Sequence, residues 1–129
     1  VSTIRVCRWV AWIALASYVV ILLTMTHLPR PPGVLEGRND KTLHFLAYFV
    51  LGCCAYFATA VTLPDRKWIG VWLLISGSLF ALIDETTQPF FKRHADVFDW
   101  IADIIGLSAA MIVAMTIHWG LTRIGKRRA

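Results

Sequence analysis

A chain of 129 residues that is 57% hydrophobic and only 16% charged falls well short of the roughly 25% charged residues usual in soluble domains. With a mean hydropathy of +0.62, the composition excludes an ordinary soluble globular domain and points to a bilayer as solvent. The net charge of +5 does not indicate nucleic acid, because the basic residues flank apolar runs and form no patch interleaved with aromatics.

At about 20 apolar residues per crossing, the length allows four transmembrane helices in a single all-α domain spanning residues 1–129. The first covers residues 9–26 and follows Arg5 and Arg8. Its basic start resembles a signal peptide, but no small-residue cleavage site follows, so a retained helix is expected. Pro29, Pro31, Pro32 and Gly33 then predict an extended loop. The second helix covers 40–63 and stops at a short turn beginning with Pro64. The third covers 68–88, stopped by Pro89, and the fourth covers 97–119. Asp96 and Asp99 have N-cap and N3 spacing, a helix-start signal. Cys7, Cys53 and Cys54 show neither disulfide nor zinc spacing and read as packing residues.

Charge sets the expected orientation. With a cytoplasmic N-terminus, Arg5, Arg8, Arg66, Lys67, Arg123, Lys126, Arg127 and Arg128 lie inside against Asp65. Outside lie Arg30, Arg38, Lys41, Lys92 and Arg93 against seven carboxylates, giving +7 inside and −2 outside. An excess of Lys and Arg marks the cytoplasmic side, so both termini are expected there. Ala102, Gly106, Ala110 and Ala114 fall four apart. Such a small-residue stripe lets a neighbouring helix approach closely in lipid. Most of Trp9, Trp12, Trp68, Trp72, Trp100 and Trp119 fall near helix ends, as interfacial anchors do.

The chemically interesting residues gather on the outer half. Asp40, His44 and Tyr48 are spaced by four, with Lys41 on the same face. Asp84, Glu85 and Gln88 close the third helix, and Arg93 precedes Asp96, Asp99 and Asp103. Asp103 sits roughly 10 Å beyond its helix start, and Tyr48 about 12 Å beyond Asp40. Charge at such depth costs a few kcal/mol unless it faces a bundle interior or wet cavity. The expected geometry is an outward-facing polar pocket lined by helices two, three and four. The macrodipole favours Asp96 and Asp99 at a helix N-terminus and disfavours Asp84 and Glu85 at a C-terminus. The latter pair should therefore need Arg93, Lys41, a metal ion or a proton. His44, Asp84 and Glu85 are the candidates for acid/base catalysis. Asp40, Lys41, Tyr48, Gln88, Arg93, Asp96, Asp99 and Asp103 are the candidates for ligand binding.

The strings Asp40-Lys41-Thr-Leu-His44-Phe-Leu-Ala-Tyr48, Asp84-Glu85-x-x-Gln88-x-Phe90 and Arg93-x-x-Asp96-x-x-Asp99, followed by Gly106, resemble the VanZ-like family over roughly residues 39–110. The resemblance implies a small bacterial membrane protein of four helices in the inner, cytoplasmic membrane. It also implies a place in the cell envelope. The founding member is linked to resistance against teicoplanin, a lipid-tailed glycopeptide antibiotic. The family motif residues fall here on Asp40, Lys41, His44, Tyr48, Asp84, Glu85, Gln88, Arg93, Asp96 and Asp99. This chain departs from many members in carrying Asp103 where they have Asn three residues before the glycine, so a charge replaces a neutral amide.

Three readings compete. The pocket binds an amphiphile such as a lipoglycopeptide or lipid-linked wall precursor, with membrane lipids as neighbours. Alternatively, the chain is a membrane hydrolase or transferase acting on a lipid head group. There His44 with a carboxylate supplies acid and base, Arg93 and Lys41 hold a phosphate, and a divalent metal such as Mg²⁺, Mn²⁺ or Zn²⁺ is conceivable. In the third reading the polar cluster only orients helices, as a structural scaffold.

Overall fold

The computed structural model describes residues 2–29, 39–63 and 68–128, with side chains described up to Ile124. Its helices are α1 (Thr3–His27), α2 (Asp40–Ala60), α3 (Ile69–Thr87) and α4 (Val97–Arg128), with a 3-10 turn at Gln88–Phe91. No strand occurs among the described residues, and all four helices are long and apolar enough to cross a membrane. The proline-rich stretch at 31–33 and the turn at 64–67 lie outside the described residues.

The helix ends differ from the expected ones for local reasons. α1 starts at Thr3, so Arg5 and Arg8 belong to the helix. α2 opens after Asn39, whose side chain accepts a bond from the Lys41 backbone N–H at 3.0 Å. It closes at Ala60, three residues short of the expected end. α3 gives way at Gln88 to the tighter turn that carries Pro89 at its start, where a missing N–H costs nothing. That turn ends on Lys92 in the left-handed region, φ 61°, with Lys92 N–H donating to Pro89 O and Arg93 N–H to Gln88 O. Asp96 caps α4 as its position predicts, its Oδ1 accepting from Phe98 N–H at 2.8 Å. α4 runs nine residues beyond the expected end at 119, to Arg128. At about 1.5 Å per residue its length near 48 Å exceeds the roughly 30 Å hydrocarbon core, so a segment must extend into the interface. In that segment the Arg123 guanidinium stacks 3.5 Å over the Trp119 ring.

The helices alternate in direction. At one end Arg8 Nε donates to Val61 O at 2.8 Å and Trp12 Nε1 to Thr62 Oγ1 at 2.9 Å, while His118 meets Tyr56 ring to ring. The N-terminal end of α1 and the C-terminal part of α4 therefore share this end, and the polar residues collect at the other.

The small-residue stripe forms the α2–α4 seam. A Cβ on Gly106 would collide with the backbone carbonyl of Phe45, and one on Gly52 would lie 2.7 Å from the Ala110 Cβ. Close approach of this kind gives lipid-embedded helices the van der Waals contact that hydrophobicity cannot supply there. Leu22, Tyr48, Leu51, Ala81 and Leu107 form one buried cluster, and Tyr56, Ala60, Ile69, Ala110 and Met111 another. Five of the six tryptophans, Trp9, Trp12, Trp68, Trp72 and Trp119, are exposed. Trp100 instead packs inward and donates Nε1–H to Ser78 O at 3.2 Å, tying α4 to α3. Cys7 is exposed, Cys53 and Cys54 are half-buried, and all three are free thiols.

Candidate functional site

The polar end is a layered network rather than a simple pocket. Alternating helix directions bring the C-terminal ends of α1 and α3 beside the N-terminal ends of α2 and α4. Spacing by four on α2 then turns His44 and Tyr48 inward, both buried, beneath the exposed Asp40 and Lys41 near the rim.

The deepest layer centres on Asp84, 1% exposed. Its Oδ2 accepts from the Tyr48 hydroxyl at 2.9 Å and its Oδ1 from the Thr26 hydroxyl at 2.8 Å. His27 Nδ1 stands 3.5 Å away while donating to Leu23 O at 2.9 Å. His27 Nε2 meets the Thr87 hydroxyl at 2.9 Å, so α1 and α3 are laced together.

A second layer joins α2 to α4. His44 Nδ1 donates to Asp103 Oδ1 at 3.0 Å, and His44 Nε2 lies 3.8 Å from Asp99 Oδ2. Asp103 is fully buried. Lys41 Nζ spans the outer edge, reaching Asp99 at 3.2 Å and Asp96 at 2.9 Å. The Asp96 carboxyl is held below the usual aspartate range, chiefly by the Phe98 N–H and then by the Lys41 ammonium.

Glu85 links the loop to the core. Its Oε2 accepts from the Gln88 amide at 2.8 Å and its Oε1 from the Asp96 backbone N–H at 2.6 Å. The left-handed Lys92 reverses the chain so that this N–H can reach back to α3. Arg93 approaches Asp40 at 3.7 Å across the mouth.

All eleven residues singled out from the sequence fall in this one end of the bundle, but their partnerships differ from the expected ones. Asp84 and Glu85 are not met by Arg93 or Lys41. Hydroxyls, a side-chain amide and a backbone N–H satisfy them, so their burial is balanced by neutral donors. Asp99 does not complete a capping box; it faces Lys41 and His44. α1 also contributes, although the pocket was expected from helices two, three and four alone. Thr26, His27 and Thr87 were overlooked, and the signal for two of them was present. Thr26-His27 is a polar pair ending an otherwise apolar run at the depth of the other polar groups.

Beside the network a cleft of about 220 Å³ opens between α1 and α2. Ile21, Met25, Leu43 and Ala47 contribute to its apolar wall, while His44, Asp40 and Arg93 close its polar end. Chemically the arrangement offers an imidazole oriented by a carboxylate, a guanidinium at the mouth, and several carboxylates within reach of one another. A metal could be held by Asp40, His44 and Asp99, or by His44, Glu85 and Asp103; within each group one ligand atom per residue lies within 4.8 Å of the others.

The VanZ/LLP1 family matches residues 9–118. The fission-yeast (Schizosaccharomyces pombe) protein C11E3.10, described as uncharacterized, is 30% identical over 105 residues, covering 81% of this chain. The match takes in 64% of the yeast protein's own length, so the chain spans somewhat less than two thirds of that relative. No solved structure matches the chain. With the family match running through all four membrane-crossing helices, the chain belongs to the VanZ/LLP1 family of membrane proteins.

Proposed function

We propose that this protein binds an amphiphile, seating an apolar tail in the α1–α2 cleft and an anionic head group against Arg93. The observation that carries the reading is the cleft itself, which joins an apolar wall from Ile21 to Ala47 with a guanidinium and an imidazole at one end. Sites of this kind are mostly apolar with a few convergent polar groups that fix orientation. Arg suits a phosphate or carboxylate because it can bind both oxygens together. Lipoglycopeptides of the teicoplanin type and lipid-linked wall precursors both have this chemistry, and so do ordinary anionic lipids. Similarity to a fission-yeast protein favours a membrane lipid or lipid-linked head group over a role confined to antibiotic resistance.

The placement that suits this reading is the inner membrane of a bacterial envelope, with both termini cytoplasmic and the polar end outward. The distribution of Lys and Arg supports it. A C-terminal green fluorescent protein fusion should glow and an alkaline phosphatase fusion should be inactive; the reverse pattern would invert the topology.

The direct test titrates phosphatidylglycerol, a polyprenyl pyrophosphate and teicoplanin into the purified chain in detergent. Saturable binding of at least one, lost in Arg93→Gln with folding intact, is expected. No saturable binding of any of them would overturn the proposal. A second reading, hydrolysis or transfer at the head group, is favoured by one observation, the His44–Asp103 pair at 3.0 Å. A histidine held by a carboxylate is suited to general acid/base work. Turnover of a bound head group that persists unchanged in His44→Ala would remove His44 from such chemistry.

A further inference from the structure

Hydrogen bonding leaves the acidic charge of the cluster unevenly answered. Asp84, Glu85, Asp99 and Asp103 are all buried. Asp84 has two hydroxyl donors, and Asp99 has the Lys41 ammonium. Arg93 faces Asp40 at the mouth. Among the described residues no lysine or arginine bridges to Glu85 or Asp103. Asp103 Oδ2 is also the buried side-chain polar atom that has no hydrogen-bond partner among them. An unmatched carboxylate oxygen inside a bundle is costly, and more so at membrane depth.

We propose that His44, Glu85 and Asp103 bind a divalent transition-metal ion of the Zn²⁺ or Mn²⁺ class. One ligand atom from each of the three lies within 4.8 Å of the other two, and all three side chains are buried. Two ligands each about 2.1 Å from one ion lie roughly 3–4.2 Å apart, so small side-chain rotations close the site. His44 Nδ1 stands 3.0 Å from Asp103 Oδ1, a spacing that two ligands of one ion adopt, so the ion takes the place of the Nδ1 proton. The ring proton then lies on Nε2, which faces Asp99 Oδ2 at 3.8 Å. Pairing with a carboxylate is how metal-binding imidazoles are commonly oriented. Glu85 keeps acceptor capacity after its two hydrogen bonds, since each carboxylate oxygen has two lone pairs. One nitrogen with two carboxylates suits Zn²⁺ or Mn²⁺ better than Ca²⁺, which takes oxygen ligands. A dication would also offset the two carboxylates that lack a cationic neighbour. The outer triplet, Asp40, His44 and Asp99, shares the same imidazole but already has Lys41 and Arg93 beside its carboxylates. The deeper triplet is therefore the assigned site. The inference stands independently of what the α1–α2 cleft accepts.

The test uses the full chain purified in detergent, stripped with EDTA, desalted, and titrated separately with MnCl₂ and ZnCl₂. One ion per chain is expected, with nitrogen coupling from an imidazole in the electron spin-echo spectrum of the Mn²⁺ form. Asp103→Asn should weaken binding by at least about tenfold, the scale on which ligand-shell changes act. His44→Gln should abolish the nitrogen coupling, whereas His94→Ala, at an exposed histidine outside the cluster, should change neither. If Asp103→Asn fails to fold, Glu85→Gln gives the same comparison. The proposal is overturned by a wild type that takes up neither ion at submillimolar concentration. A Mn²⁺ spectrum lacking nitrogen coupling, or coupling that survives His44→Gln, overturns it equally. Metal uptake without amphiphile binding would sink the cleft reading and leave this one intact.

Discussion

The same two helices, α2 and α4, meet in two different ways along their length. Toward the N-terminal end of α1 they touch through Gly52 and Ala110, and Gly106 against the Phe45 backbone marks the level where this close contact gives way to polar pairing. In the half toward the loop they meet through His44–Asp103 and Lys41–Asp99. The first half is what lipid-embedded helices need to associate. The second half surrounds buried charge that an apolar seam of equal shape would avoid, and replacing buried ion pairs by apolar residues is often neutral or stabilising. The contrast separates residues that build the bundle from residues the bundle carries for another purpose.

The comparison breaks first at the glycine seam. Gly106→Val drives side-chain atoms into the Phe45 carbonyl, and a loss of about 3 kcal/mol is expected from overpacking against a backbone that cannot move aside. Thermal unfolding in detergent reads it. A loss below about 1 kcal/mol would show that the helices are not held at this distance.

Tyr48→Phe takes one donor from the buried Asp84 and should cost about 1–3 kcal/mol. Thr26→Val should act on the same carboxylate. Because the two share a partner, the double variant should depart from additivity, which a double-mutant cycle measures. Strict additivity would mean that the Asp84 layer is not one network.

Arg93→Gln sharpens the distinction from the other side. Its pairing with Asp40 is long and lies at the mouth, so the stability change should stay under about 1 kcal/mol while retention of anionic amphiphiles falls. A large melting shift would make Arg93 part of the structure.

The smallest effect belongs to pH. The folded Asp96 carboxyl titrates below its unfolded value near about 3.9. Its stabilisation is therefore present above that value and is lost as pH falls through the lower folded one. Melting temperatures followed downward from about pH 5 should fall more steeply for wild type than for Asp96→Asn. Parallel curves would show that the Lys41 and Phe98 contacts do not favour the charged form.

Much of this was legible in the sequence. Apolar run length gave the four helices, spacing by four gave the shared faces of Asp40, His44 and Tyr48, and the Ala102–Gly106–Ala110 interval marked the seam. Asp96 caps α4 as its position announces. The pairings inside the cluster were not legible, because spacing along one helix says nothing of which helix stands opposite. Asp84 meets Tyr48 and Thr26, residues 36 and 58 positions away. Electrostatic reasoning matched carboxylates with cations and overlooked the neutral hydroxyls and the backbone N–H that serve instead. Helix four outruns its expected end at 119: the backbone stays helical to Arg128, and Arg123 lies back along the Trp119 ring.

The Asp96 backbone N–H donates to Glu85 from a turn where the Asp96 side chain is itself partly open to solvent. Solvent reaches that turn, yet its amide proton is sequestered by a carboxylate belonging to the interior. Its hydrogen-exchange rate thus becomes a gauge, readable from outside the bundle, of whether Glu85 has stayed in place or swung toward something else.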